Sequence, residues 1–106
     1  MEQKADPWKI FMDERPDVVK AYQELMKNIN KNNVLDDKTA ALICVGIYST
    51  IREAYALRHF VAEALKAGAT KGEVQAAALL AFNYGVCSAE LSLPIILELA
   101  EKDEQK

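Results

Sequence analysis

The apolar positions of this chain recur three and four apart rather than alternating. Val18, Val19, Tyr22, Leu25, Met26 and Ile29 follow that interval, which places them on one face of an α-helix. Pro16 suits a first helical turn, where its missing N–H costs nothing. The "NKNN" stretch at 30–33 can close the helix in the left-handed conformation that asparagine tolerates. The pattern predicts an amphipathic helix from 16 to about 30. Upstream, Trp8 and Phe11 read as anchors for an N-terminal arm, and residues 1–10 and 102–106 are expected to fray.

Asp36 or Asp37 can cap the next helix. Its body, "AALICVGIY" at 40–48, is apolar throughout, and periodicity alone does not separate a buried helix from a buried strand. Helix is the reading adopted, because no other segment offers a strand partner. Gly46 would then admit a neighbouring helix closely. Thr50-Ile-Arg-Glu53 has the form of a capping box, so a break is expected near 49, with a new helix from 50 to about 66 ended by Gly68. Thr70-Lys-Gly-Glu73 is a second box. It opens a helix through Tyr84 whose middle, "AAALLAF", is apolar nearly all round. Gly85 is expected to stop that helix. Ser88 or Ser92 then opens the last one, where Pro94 fits only near the first turn. The sum is an all-α chain of about five helices, read as a single domain over 1–106.

Composition agrees and removes several functions. Four glycines and three prolines leave few turns, against an all-β fold, and 51% hydrophobic with 27% charged residues suits a soluble globular protein. The net charge of −3, with Lys and Arg dispersed, lacks the basic stripe of a nucleic-acid binder. The first fifteen residues hold no continuous apolar run, and the run at 40–48 is too short to span a bilayer. No membrane partner and a cytoplasmic location are therefore expected.

Cys44 and Cys87 form no C-x-x-C and no local pair, so reduced thiols are expected. Cys44 lies in the most apolar stretch and reads as inert. Cys87 follows Gly85 at an expected helix junction, where a helix N-terminus would lower a thiol pKa. A zinc site would need both cysteines, His59 and a carboxylate to meet; nothing in their spacing requires it, and no metal or cofactor is expected.

The chain's single histidine gives the candidate chemistry. At 100° per residue, a helix over 50–66 puts Leu57, Phe60, Val61, Ala64 and Leu65 on an apolar stripe. Arg52, Tyr55 and His59 fall opposite, with Ala62, Glu63 and Lys66. In a monomer that face is wet. Closed by a neighbouring subunit or a lid, it would bring together an anion clamp in Arg52, a hydroxyl donor in Tyr55 and a proton carrier in His59. Such a pocket suits a small carboxylate. The nearly all-apolar helix at 74–84 asks for cover on two sides, which points to an oligomer.

"LDDKTAALI" (35–43), the histidine at 59, "A..AGAT..EV" (64–74) and the small-residue helix ending at Gly85 resemble the carboxymuconolactone decarboxylase-like family, which includes alkyl hydroperoxidase D proteins. Phe11, Pro16 and Tyr22 fit its first helix, and the resemblance covers roughly 11–98. It implies an all-helical subunit, homo-trimers or homo-hexamers, and pockets near subunit contacts. One branch of the family decarboxylates a lactone acid. The other is a thiol peroxidase with a C-x-x-C, a histidine after it and an upstream glutamate. Counted back from His59, the two cysteine positions hold Arg52 and Tyr55, and the upstream acid falls near Ala40 or Ala41. The two-cysteine cycle is lost at that place, so a peroxidase would have to work through Cys87 or Cys44. The resemblance thus implies a pocket around His59 acting, without cofactor, on a small carboxylate or lactone acid. A non-catalytic oligomeric binding protein remains the third reading.

Overall fold

The computed structural model describes residues 6–31 and 34–104, and all regular structure among them is helical. The order is α1 (Pro7–Glu14), α2 (Pro16–Asn30), α3 (Asp37–Ile51), α4 (Ala54–Lys66), α5 (Lys71–Leu79), a 3-10 turn (Leu80–Phe82) and α6 (Asn83–Glu104). The chain groups into two compact units, Met1–Val34 and Leu35–Lys106.

In the first unit, α1 replaces the frayed arm expected over 7–10. Asp6 caps it by accepting from the Trp8 and Lys9 amides, and Pro7 occupies the first turn. Arg15 separates α1 from α2 because a residue before proline is pushed out of the helical region; its φ and ψ are −137° and 66°. Trp8 anchors as expected, with its ring edge-on to Phe11 at 5.9 Å and Tyr22 at 6.0 Å. Val19 is buried, while Val18, Tyr22, Leu25 and Ile29 are exposed. The asparagines at 32 and 33, expected to close α2, lie outside the described residues.

The second unit is built on small side chains. Ala41, Ala64 and Ala69, from α3, α4 and the loop after it, form the buried cluster, with Leu42 and Val74 against it. Val45 of α3 is fully buried. Alanines at these points let helix backbones approach closely. Gly46 does the same for α5, since a Cβ there would lie 3.4 Å from the Ala77 carbonyl oxygen.

The turn after α4 makes that cluster possible. Gly68 takes φ 99°. Its amide donates to the Leu65 carbonyl at 3.1 Å, and the Ala69 amide donates back to the Ala64 carbonyl at 2.9 Å. This is the paired closure of a Schellman motif, whose flanking residues pack on each other; here they are Ala64 and Ala69, both buried. One residue later Thr70 opens α5 with the predicted capping box: its hydroxyl oxygen accepts from the Glu73 amide, and Glu73 Oε1 accepts from the Thr70 amide. The other Glu73 oxygen pairs with Lys38 Nζ at 2.7 Å, joining α5 to the first turn of α3. Asp36 caps that turn, accepting from the Thr39 amide at 2.7 Å.

The structure departs from the sequence pattern at two breaks. Thr50 caps nothing: it lies inside α3, and its hydroxyl donates to the Gly46 carbonyl at 2.8 Å. Local back-bonding of this kind competes with capping. The break falls at Arg52 and Glu53, and Glu53 is the N-cap of α4, accepting from the Tyr55 and Ala56 amides. The second departure is at Gly85, which stops nothing. Its φ is not positive, and the chain stays helical from α5 through the 3-10 turn into α6. Pro94 therefore sits in the middle of a helix of 22 residues, where it removes one backbone hydrogen bond. Every α6 residue from 83 to 103 is exposed. By length and composition, the run Lys71–Asp103 is long and apolar enough to cross a membrane; reading the helix as broken at Gly85 concealed this.

Two outcomes follow for stability. Gly68→Ala has open space for its Cβ but a backbone angle that L-residues resist, so unfolding at fixed protein concentration should show a loss of about 1–2 kcal/mol. Lys38, by hydrogen bonding first and then the Thr70 amide, holds the Glu73 carboxyl below its ordinary value of 4.5. The unfolded chain then takes up that proton first as pH falls, so this contribution is present at neutral pH and lost on acidification. Denaturation midpoints followed from about pH 7 to about pH 3 should drop, and should drop less in Lys38→Met.

Candidate functional site

Tyr55 and His59 occupy successive turns on the N-terminal half of α4, and both are exposed. Arg52 does not share that helix. It is the left-handed residue at the end of α3, with φ 61° and ψ 41°, and its amide donates to the Tyr48 carbonyl. Arg52 therefore precedes α4 by a turn of fixed geometry instead of stacking on it. A non-glycine residue at positive φ is uncommon and invites a functional explanation. Ala62, Glu63 and Lys66 are exposed on the same helix, while Leu57, Phe60 and Val61 are half-buried and Ala64 is fully buried. Leu65, expected on the apolar stripe, is half exposed.

An aromatic row supports the histidine. Tyr48 of α3 stacks on Phe60 of α4 with centroids 5.3 Å apart and planes 5° apart. His59 lies edge-on to Phe60, with ring centroids 4.8 Å apart. Phe60 thus fixes α4 against α3 and gives the imidazole a firm neighbour. Tyr48 was hidden in the sequence as the end of an apolar run. Its signal was the hydroxyl-bearing ring closing a stretch otherwise composed of aliphatic and small residues.

A concavity of this unit lies elsewhere. A groove of about 780 Å³ runs between α3 and the α5–3-10 segment. It is lined chiefly by Leu42, Ile43, Ile47, Ile51 and Leu80 and by small residues, with Thr39, Thr50 and Glu73 as its polar members. Its volume is in the range of ligand pockets, but Arg52, Tyr55, His59 and both cysteines are absent from its lining. Of its polar groups, Thr50 is already bonded to Gly46 and Glu73 to Lys38 and Thr70. The groove has apolar surface to offer and little chemistry.

The cysteines are both free. Cys44 is half-buried, and burial pushes its thiol pKa up, which lowers its thiolate fraction. Cys87 is exposed on α6. The helix N-terminus expected beside it does not exist, because α6 continues the 3-10 turn without a break. Among the described residues, no three His, Cys, Asp or Glu side chains come together as metal ligands would.

The residues that carry the resemblance thus meet in space, Lys38 on Glu73 and Ala41 on Ala64 and Ala69. No curated protein and no solved structure matches the chain. Residues 16–98 match the carboxymuconolactone decarboxylase family, and with well over half of its length inside that match the chain belongs to this family.

Proposed function

We propose that this protein is a homo-oligomeric enzyme, trimeric or hexameric, that acts without cofactor on a small carboxylate or lactone acid at the Arg52–Tyr55–His59 face. The observation that carries the reading is the pairing of Tyr55 and His59 one helical turn apart on an exposed face, with Arg52 held immediately upstream in a left-handed turn. Polar groups that can bind and protonate an acid are thereby set on rigid backbone. Family membership supports the same class of reaction.

In this scheme the Arg52 guanidinium holds a substrate carboxylate through paired N–H donors. Tyr55 orients the substrate by hydrogen bonding. Loss of CO₂ breaks one C–C bond and leaves its electron pair on the conjugated lactone carbon. The His59 imidazolium delivers the proton that this carbon needs and regains it from water. A face open to water on a single chain weakens each of these interactions. Cover by a neighbouring copy would exclude that water and strengthen them.

The thiols are spectators in this reading. Cys44 is disfavoured as a nucleophile by burial, and Cys87 lies on a different helix from His59.

His59→Ala should reduce turnover of a responsive lactone acid by about 10²- to 10⁴-fold, the usual contribution of a positioned acid or base. Cys44→Ser and Cys87→Ser should leave it intact. Steady-state kinetics on a panel of lactone acids and small carboxylates is the measurement. Undiminished turnover in His59→Ala, or loss of peroxide reduction in Cys87→Ser, would overturn the assignment.

A further inference from the structure

We propose that the α3–α5 groove is the seat for α6 of a second copy of this chain, with the two copies exchanging helices reciprocally. This rests on the homo-oligomeric reading above and names the surface that makes the oligomer.

Two ridges on the chain match. On α3, Ile43, Ile47 and Ile51 recur every four residues and are 47–61% exposed along the groove. On α6, Leu91, Ile95 and Leu99 recur at the same interval and are 47–67% exposed. Rows spaced four apart are what interdigitates when helices pack ridge into groove. From Thr39 to Ile51 the α3 wall extends about 18 Å, and the 22 residues of α6 extend about 33 Å at ~1.5 Å per residue. The helix is long enough to fill the groove.

The occupant comes from another copy because the chain's own α6 has no means of turning back. α5 ends at Leu79, the 3-10 turn covers Leu80–Phe82, and α6 begins at Asn83. No non-helical residue separates them, whereas helices that pack back on their predecessors need connections of about two to eight residues. The glycine that could have reversed the chain, Gly85, is helical. A reciprocal exchange would engage the 22 residues of α6 and the twelve that line the groove on each copy, enough to supply the roughly 20–30 residues a side of a stable interface.

A bilayer is the other surface that could cover so apolar a helix. Glu90 lies close to the middle of the Lys71–Asp103 run, and Asn83, Ser88 and Ser92 lie nearby. A carboxylate near the bilayer midplane is costly. A bilayer would also leave the α3 ridge unexplained, whereas a second copy accounts for both ridges.

The test uses the full chain. Ile47→Cys and Ile95→Cys chains, each altered at the centre of its ridge, are purified separately, mixed, allowed to exchange and mildly oxidised. Linked peptides are then mapped by mass spectrometry, with native mass read by light scattering. Central positions meet whether the helices run parallel or antiparallel. The expected result is a 47–95 disulfide joining the two different chains within an oligomer, and conversion of Ile95→Asp protein to smaller species with its helical circular dichroism retained. An oligomer without that link overturns the helix exchange and leaves the oligomeric reading standing. In a chain carrying both Ile47→Cys and Ile95→Cys, oxidised in parallel, a 47–95 link closing within one chain overturns it in favour of a fold-back. A monomeric wild type overturns both, and so does wild-type protein that partitions onto vesicles of neutral phospholipid instead of assembling.

Discussion

One carboxylate organises the second unit of this protein. Glu73 closes the first turn of α5 by accepting from the Thr70 amide and reaches across to Lys38 on α3. The cap decides where α5 starts, and the ion pair decides which turn of α3 it lies beside. Between these two points sits the alanine cluster, whose side chains are so small that helix positions must be set by the backbone and its ends. An exposed ion pair contributes little by itself. Its value here is register, because it acts where a cap and a tight turn have already restricted the chain.

Apart from His59, which belongs to both, the residues that carry the family resemblance and those offered for chemistry are different sets. Lys38, Ala41, Ala64, Gly68, Ala69, Thr70 and Glu73 build the junction of α3, α4 and α5. Tyr55 and His59 stand on the far side of α4 from its buried Ala64, and Arg52 precedes that helix at the end of α3. A scaffold can therefore keep its junction while the exposed face of α4 changes, which is how one fold comes to serve several reactions. In this chain positions 52 and 55 carry a cation and a phenol.

The helix exchange proposed above bears on the same division of labour. Among the described residues, the buried ones are Val19, Ala41, Val45, Ala64 and Ala69, all small or of moderate size. Ile43, Ile47 and Ile51 of α3 and the large aliphatic side chains of α6 remain outside. A core of this composition supplies modest hydrophobic stabilisation, and the larger share would come from joining copies. Folding and assembly would then be one process, with stability that depends on protein concentration.

Much of the local structure was legible in the sequence because it follows from interactions within four or five residues. Thr70 and Glu73 announced a capping box, Asp36 or Asp37 a cap, Pro16 a first turn and Gly68 a helix end; Asp36 is the cap, and the others stand where their chemistry placed them. The apolar run at 40–48 proved helical, with Gly46 at a close approach. What the tertiary structure alone decided lay where a local signal had competitors. Thr50 had the spacing of a cap, but its hydroxyl found the Gly46 carbonyl, so α3 ran on and the turn moved to Arg52. That shift removed Arg52 from the helix face assigned to it. Gly85 looked like a stop and Pro94 like a first-turn residue, yet neither glycine's freedom nor proline's single lost hydrogen bond ends a helix whose neighbours continue to favour it. Local rules determine which residues can cap or turn. Which of them does so depends on whether α3, α4 and α5 can still bring Lys38 to Glu73 and three alanines together.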